Sequence, residues 1–546
     1  MNCLTSRYAL LATLAAATGG CGVADSDSSE MVGEVAQAVH IYKPNLKVSG
    51  ATSGTNNTMS GAMALNWPIV NGGRPTIVMG FETQGVTGWS LSSNLGGVWT
   101  PGLSTSWPVP QPSPPDDGHC SDGYSFGGYV GDPTVLSFPY NDGFKSNFVF
   151  VSSGKSVAND HTDVVALVSD NGGFAFKNPF LVTFEPHEMS PPIPPEVATR
   201  WLVRYPIASN EATVGADFYT GRFWVLWRQQ AVDSQGTFGA KTWMLQSLMV
   251  DDFTDPLNHK IAETGFTLGP VAIPAAALPG SAGPSAVGAI TLNGGGVRVF
   301  VVYPSRDNEA DTCPSLTTDA DVTWKVRWSL DGSYQTWSAA VTIATDPAWK
   351  RCVGASFKAG GTAFNKNSIR PEFRVDPKTR DLFVAITRTT GAGTASMVRV
   401  YRSNLSDPSN WTQVYTPPPS TDGRLHDEWG VALGVKHDPS ESYADVGVMW
   451  HDTRLDISST TRNEYVDIFA STNQNSGNTG SGYGWQGPWQ VNSSAVWSPA
   501  DAWGKYEGMA PDISTLNGAF FMGWGDNRDW STTVKTQAWV AGVVHN

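Results

Sequence analysis

The densest group of chemically useful side chains in this sequence of 546 residues is the segment 424–429, Arg-Leu-His-Asp-Glu-Trp. It lies directly before an apolar run that predicts a β-strand. Glycoside hydrolysis uses a pair of carboxylates, and a tryptophan ring is a surface on which a sugar face stacks. Because Asp427 and Glu428 are adjacent, their side chains would diverge, and a catalytic pair needs a partner such as Asp132 or Glu372. The alternative interpretation is a turn-capping or solvated loop.

The elements that must position these residues are indicated by a recurring motif, Ser-x-Asp/Asn-x-Gly-x-x-aromatic. Two copies fit it fully, at 92–99 and 169–176, and looser copies begin at Ser329, Ser403 and Ser471. Each copy follows a short apolar run and suits a hairpin tip. There the Asp or Asn side chain can cap backbone N–H groups, and glycine supplies a positive φ. We therefore interpret the motif as structural.

This motif resembles the Asp-box, or BNR repeat, of sialidase-like β-propellers, and the resemblance covers most of the chain after about residue 60. A second recurring pattern supports it: 448–454 and 522–528 both contain Trp-x-Asp-x-Arg after hydrophobic residues. Because Asp452 and Arg454 recur as Asp526 and Arg528, we interpret them as a structural Asp–Arg turn. The resemblance implies an all-β fold consisting of a single sialidase-like propeller.

The composition agrees with an all-β protein of many short strands and turns, since it includes 57 glycines, 36 prolines and 22 tryptophans with only 15% charged residues. We predict seven blades, with six as the alternative because sialidase catalytic domains have six. The segment His40–Val48 is expected to add an outer strand that closes the ring against the C-terminus. Arg74–Thr83 is expected to be the inner strand of the first blade.

The resemblance also implies site residues, because a propeller gathers the starts of its inner strands at one mouth of the central channel. In sialidases three arginines bind the substrate carboxylate, a tyrosine paired with a glutamate is the nucleophile, and an aspartate is the acid/base. By that resemblance the substrate-binding residues would be Arg74, Arg370, Arg424, His426 and Trp429, and the catalytic residues Asp132, Glu428, Tyr506 and Glu507.

The chain departs from the family pattern in two places. The Arg-Ile-Pro of the first inner strand is absent, and Tyr506 and Glu507 are neighbours whose side chains would point to opposite faces of a strand. Two functions therefore stay open. One is an exo-acting glycoside hydrolase of sialidase-like type, and the other is a non-catalytic propeller that binds a glycan or a protein.

The N-terminus predicts export. Arg7 precedes an apolar stretch, and Thr18-Gly19-Gly20 ends directly at Cys21, which resembles a bacterial lipoprotein signal. We predict a signal peptide over 1–20, an acylated Cys21 with a flexible tether over 21–39, and the propeller over 40–546. The expected location is the cell envelope through a lipid anchor, with ordinary secretion as the alternative.

The remaining cysteines and the acidic residues bear on disulfides and metals. Cys313 and Cys352 flank one predicted blade and could form a disulfide in an oxidising compartment, which would leave Cys120 without a disulfide partner. The alternative is that all three are free thiols. Asp311, Asp319 and Asp321 could ligate calcium, but they lack EF-hand spacing. We expect no metal and no cofactor.

The net charge bears on partners. A formal net charge of −14 and a pI near 5.1 argue against a nucleic-acid partner, which requires clustered Lys and Arg. The expected partner is a glycan or glycoconjugate, with membrane contact only through the N-terminal lipid. The protein is expected to be a monomer.

Overall fold

Twenty-nine β-strands and one turn of 3-10 helix, Ser104–Ser106, form the regular structure of the described residues in the computed structural model. One compact unit spans His40–Asn546, and residues 1–39 form a separate unit. The structure describes residues 40–47, 61–66, 76–83, 86–94, 98–107, 126–138, 147–156, 162–169, 171–181, 213–217, 222–232, 238–249, 271–280, 282, 285–292, 295–305, 320–349, 370–376, 379–389, 396–420, 426, 428–436, 445–455, 465–473, 484–491, 496–497, 512–516, 519–526 and 537–544.

The described strands form seven antiparallel sheets, six with four strands and one with five. In chain order the first three are β2 Gly61–Asn66, β3 Thr76–Thr83, β4 Val86–Ser92, β5 Thr100–Leu103; β6 Phe126–Phe138, β7 Asn147–Ser156, β8 Thr162–Ser169, β9 Lys177–Leu181; and β10 Thr213–Asp217, β11 Arg222–Val232, β12 Phe238–Met249, β13 Val271–Ala272.

The next three sheets continue the same order of strands. They are β14 Ala286–Thr291, β15 Val297–Pro304, β16 Ala320–Trp328, β17 Val341–Trp349; β18 Glu372–Val375, β19 Asp381–Thr389, β20 Ser396–Asn404, β21 Asp407–Tyr415; and β22 Glu428–Lys436, β23 Asp445–Asp452, β24 Tyr465–Asn473, β25 Gln486–Gln490 with β26 Val496–Trp497 beside β24. The seventh sheet joins the two ends of the unit through β27 Asp512–Leu516, β28 Ala519–Asp526, β29 Gln537–Val544 and β1 His40–Lys47.

The first strand of each sheet lies on the inside of a closed ring. In turn, β2 contacts β6, β6 contacts β10, β10 contacts β14, β14 contacts β18, β18 contacts β22, β22 contacts β27, and β27 contacts β2. A closed succession of antiparallel sheets around their first strands is a β-propeller, so the predicted all-β propeller class is confirmed.

The ring has two distinct ends, which differ in the strand termini that they carry. Within a sheet each strand reverses direction, so the fourth strand returns to the end at which the first strand began. We call the end where the seven inner strands begin the strand-start end. The opposite end, which carries the turns between third and fourth strands, is the motif end.

The ring closes as the sequence analysis predicted, because β1 pairs with β29 from His40 opposite Val544 to Lys47 opposite Trp539. One predicted strand position is wrong. The segment 74–83 was expected to be an inner strand, but β3 pairs with both β2 and β4 and is the second strand of its sheet. The inner strand is β2, whose sequence Gly-Ala-Met-Ala-Leu-Asn carries no β-branched residue and gave a weak strand signal.

The recurring motif lies at one structural position. Its five copies all fall between the third and fourth strands of a sheet and therefore at the motif end. In the first copy Asn94 Oδ1 accepts hydrogen bonds from Ser92 Oγ at 3.0 Å and from Val98 N at 2.8 Å. In the second, Asn171 Oδ1 accepts from Ser169 Oγ at 2.8 Å and from Ala175 N at 3.0 Å.

The core lies between neighbouring sheets. All eight residues of β23 are buried, as expected for a strand with a neighbouring sheet on each face, whereas burial mostly alternates along β20, which has one partly exposed face. Close approach of two sheets requires a small residue at Gly288, where an added Cβ would lie 2.0 Å from Phe373 Cδ1. Phe373 in turn stacks on Phe300 with ring centroids 5.7 Å apart. Such packing fixes each sheet, and hence its loops, relative to the next.

Candidate functional site

The strand-start end of the β22–β25 sheet carries a buried cluster of four ionisable residues, His426, Glu428, Asp452 and Arg454. Glu428 is the first residue of β22 and pairs in register with Asp452, the last residue of β23. His426 precedes β22 by two residues, and Arg454 follows β23 by two. The reversal of direction between adjacent antiparallel strands brings these four side chains to one end.

Arg454 is the centre of this cluster. Its guanidinium lies 2.7 Å from Asp452 Oδ2 and 3.1 Å from Glu428 Oε1, and it also lies over the ring of Phe469. Its backbone N–H donates to Asp452 Oδ1 at 2.7 Å, which gives the Asp–Arg turn expected from sequence. The same guanidinium contacts Glu428, so the turn also holds one residue of the candidate site in place.

Both carboxylates accept further hydrogen bonds. Glu428 Oε2 accepts from the backbone N–H of Val398 in the neighbouring sheet at 2.8 Å, and its Oε1 lies 3.0 Å from His426 Nε2. Asp452 Oδ2 accepts from Trp450 Nε1 at 2.8 Å. Glu428 is 1% exposed, so its carboxylate is held by protein groups on both oxygens rather than by water.

The electrostatics of the cluster couple Glu428 to His426. Burial raises the pKa of Glu428, and the negative charge of Asp452 adds to this, while the hydrogen bond with His426 and the charge of Arg454 oppose it. Burial lowers the pKa of His426, but the hydrogen bond to Glu428 and the charges of both carboxylates outweigh it, so the pKa lies above its usual value. The pair is therefore arranged to share a proton.

The cluster has the residue types of a metal site, since one ligand atom each from His426, Glu428 and Asp452 lie within 4.8 Å of one another. Arg454 already supplies the positive charge that two buried carboxylates need. A divalent cation would have to lie beside that guanidinium, which repels it. The arrangement fits an ion-pair network better than a metal centre.

A second polar network lies in the two preceding sheets, toward the same end. Arg388 Nε donates to Asp346 Oδ1 at 2.5 Å, and Arg388 Nη1 donates to Tyr401 Oη at 2.6 Å. Asp346 is fully buried and also accepts from Trp324 Nε1 at 3.2 Å. Burial raises the pKa of Asp346 and Arg388 opposes the shift.

Arg399 lies between the two networks. Burial lowers the pKa of its guanidinium, while the charge of Glu428 opposes the shift. Ionisable side chains therefore extend from Asp346 to Asp452 across three successive sheets. Sequence analysis missed Asp346, Arg388, Arg399 and Tyr401, because their contacts join residues far apart in the chain and no local motif marks them.

The structure describes the side chains of four predicted site residues. Glu428 and His426 lie in contact as above. Arg370 lies half-buried two residues before β18, at the strand-start end where it was predicted. Trp429 is 2% exposed and stacks on His451, with ring centroids 5.5 Å apart and planes at 14°. This packing leaves Trp429 no open ring face for a sugar.

The other predicted residues are not described at the level of side chains. Asp132 lies on the backbone of the inner strand β6, but its side chain is outside the description. The residues that lie outside the described ranges altogether are Arg74, Arg424, Tyr506, Glu507, Cys21, Cys313 and Cys352. Because β3 is a second strand, the reason for placing Arg74 at an inner-strand start no longer holds.

No family model and no curated protein sequence matches the chain. Among solved structures, it is similar to the NanB sialidase from Streptococcus pneumoniae at 11% identity, with 91% of this chain and 70% of that chain covered and a TM-score of 0.36. It is similar to the phage phi92 endosialidase at 10% identity, covering 92% and 69%, with a TM-score of 0.41. It is also similar to the leech intramolecular trans-sialidase at 10% identity, with 91% of this chain and 70% of that chain covered and a TM-score of 0.35. The propeller assignment rests on the strand pairing of this chain itself.

Among the described residues, no helix has the length and apolar character that a membrane span requires.

Proposed function

We propose that the protein is an exported lipoprotein whose β-propeller binds carbohydrate at the strand-start end without hydrolysing it. This choice rests on one observation, which is that protein groups already occupy both carboxylate oxygens of Glu428. Its two oxygens are engaged by Val398 N, His426 Nε2 and Arg454, and the side chain is buried, so in this arrangement neither oxygen is free to protonate a glycosidic oxygen. A carbohydrate ligand is supported by the resemblance of the recurring turn motif to the Asp-box.

The proposal has structural parts of its own. Each of the seven sheets is taken as one blade, and each motif turn as an Asp-box. Arg370 is the proposed ligand-binding residue among those described, because it lies at an inner-strand start with a planar donor fork suited to sugar carboxylates or hydroxyls. Cys21 is the proposed lipid attachment site, and Cys313 and Cys352 are the proposed disulfide partners in a monomer of the cell envelope.

A glycoside hydrolase is the second candidate, and one observation favours it. The pKa of Glu428 is raised, as that of a general acid in glycoside hydrolysis is. Hydrolysis would require Glu428 to become accessible to substrate and a second carboxylate, for which Asp132, Glu372 and Glu507 are the candidates. The clamp of Arg454 on Glu428 opposes such an opening.

A glycan array and a panel of chromogenic glycosides, sialosides included, separate the two functions when the full chain is assayed on both. We expect binding to a subset of glycans and no turnover. Arg370→Ala should weaken binding about tenfold or more in protein that stays folded, whereas Arg298→Ala, in β15 at the motif end, should leave binding unchanged.

Turnover that Glu428→Gln abolishes while the protein stays folded would contradict the binding proposal and establish the hydrolase. Binding that survives Arg370→Ala would remove that residue from the site. The mass of the mature N-terminal peptide tests acylation of Cys21, and non-reducing peptide mapping tests the disulfide.

A further inference from the structure

The chain enters the ring at the motif end. Strand β1 is the fourth strand of its sheet and runs antiparallel to β29, with its first residue, His40, opposite Val544. The start of β1 therefore occupies the place that a motif turn occupies in the other sheets. His40, the residue to which the N-terminal segment is covalently joined, therefore lies at the motif end.

The same end exposes large apolar side chains. Four such side chains are strongly exposed among the described residues, and three of them, Val98 (65%), Phe174 (60%) and Leu330 (58%), lie in motif turns. The fourth, Leu455 (47%), follows β23 and lies at the strand-start end. Isolated exposed apolar residues are common on proteins, but three at equivalent turns of one end form a set.

Side-chain hydrogen bonds hold the backbone of the turns that carry Val98 and Phe174. The turn at Phe174 is held by Asn171 and Ser169, whose side chains accept from Ala175 N at 3.0 Å and Gly173 N at 2.8 Å. In the turn at Val98, the backbone N–H of Val98 donates to Asn94 Oδ1 at 2.8 Å. Little conformational entropy is lost when side chains on preorganised turns insert into a binding surface or a membrane.

We propose that the motif end is a membrane-docking face, with Val98, Phe174 and Leu330 inserting into the surface of a neutral bilayer, so that the strand-start end faces away from the membrane. This inference rests on the export and anchoring part of the proposed function. A lipid on Cys21 would be joined to His40 by a tether that reaches about 60 Å when extended, enough for this face to rest on the bilayer.

A neutral lipid surface is the occupant that charge favours. The motif segments 92–99, 169–176 and 329–337 contain no Lys or Arg and include Asp170 and Asp331, and the whole chain is acidic with a net charge of −14. Attraction to anionic lipids requires clustered basic residues. Insertion of apolar side chains next to a covalent lipid supplies the second of the two signals that stable anchoring uses.

Hydrogen–deuterium exchange on the full chain in phosphatidylcholine vesicles tests the orientation, with the Cys21→Ser chain free in the same buffer as the reference. We expect slower exchange in peptides covering the three motif turns and unchanged exchange in the peptide that contains Leu455. Slower exchange at the Leu455 peptide, or no change at the motif turns of vesicle-bound protein, would overturn the proposal.

A variant series tests the apolar contacts without the lipid. In the Cys21→Ser chain, the triple substitution Val98→Ser, Phe174→Ser and Leu330→Ser should lower partitioning into phosphatidylcholine vesicles about tenfold or more, and Leu455→Ser should not. Equal partitioning of the two variants would overturn the proposal even if Cys21 is acylated. Mass spectrometry that finds no lipid on Cys21 would contradict the anchoring proposal. The partition series would still test whether the motif end is the docking face. Glycan binding is measured separately, so its failure is distinguishable from a failure of lipid anchoring or of membrane docking.

Discussion

Arg454 is the residue on which the buried charges of the candidate site depend. It pairs with both Asp452 and Glu428, which are 0% and 1% exposed. Removing it leaves two buried carboxylates with only His426 to balance them. A buried ion pair adds little net stability compared with apolar packing, but breaking one by removing a partner is costly.

We expect Arg454→Met to lower the free energy of unfolding by about 3–5 kcal/mol, as measured by urea denaturation at pH 7. Methionine keeps an unbranched apolar side chain at this position, so the loss reports the guanidinium, with its two ion pairs and its contact with the ring of Phe469. Arg298→Met, in a strand near the motif end, is the control and should change stability by less than about 0.5 kcal/mol. Equal effects of the two substitutions would contradict the assigned role of Arg454.

His426 and Glu428 give the stability of the protein a dependence on pH. Both have pKa values above those of the unfolded chain, so the folded state binds the proton more tightly. The stabilisation from His426 is fully present below its unfolded pKa of about 6.5 and is lost as the pH rises through the folded value. Glu428 acts in the same direction from its own unfolded pKa upward.

We therefore expect the melting temperature to fall between pH 6 and pH 9 by more in the unmodified protein than in His426→Gln, whose side chain does not titrate. Calorimetric scans at several pH values in buffers of equal ionic strength measure the difference. Parallel curves for the two proteins would show that the shared proton contributes nothing to folding.

At the scale of the element, the motif turns position one sheet against the next. Gly173 has a φ of +88°, and a Cβ added there would lie 2.5 Å from Val78 Cγ2 in the adjacent sheet. The glycine is thus required both by the backbone and by packing. Gly295 has nearly the same φ, +86°, but an added Cβ would meet nothing within 4 Å.

The pair of glycines separates the two requirements. Gly295→Ala should cost about 1 kcal/mol, which is the penalty of a left-handed alanine, and Gly173→Ala should cost about 1–3 kcal/mol more because it also crowds Val78. Chemical denaturation of both variants measures the difference. If the two substitutions cost the same, Val78 yields freely and the turn does not set the spacing of the sheets.

Sequence patterns predicted the elements that carry strong local signals. The segment His40–Val48 was predicted to be the outer strand that closes the ring, which β1 confirms, and the motif marked the turns at which third strands end. The inner strand β2 was missed because a short stretch with glycine at its start is stabilised by its neighbours and not by its own propensity. The site was predicted in part, since His426 and Glu428 lie close in sequence whereas the Arg388–Asp346 contact spans 42 residues.

At the scale of the whole molecule, the ring closes through hydrogen bonds between its two ends. Strand β1 covers the free edge of β29, and without it the seventh sheet would have three strands and an open edge. Open edges expose unpaired backbone groups and invite pairing with other chains. Closure through β1 therefore contributes both to stability and to solubility.

Two truncations test this role of β1. Removing residues 1–39 takes away only the separate N-terminal unit, and we expect a melting temperature within about 2 °C of the full chain, since no described strand is lost. Removing residues 1–47 also deletes β1, and we expect a lower melting temperature together with association measured by light scattering, because the exposed edge of β29 is free to pair. A monomeric product with unchanged stability would show that the ring is held by the packing between β27 and its neighbours β2 and β22 alone. In that case the pairing of β1 with β29 would be an addition to a ring already complete.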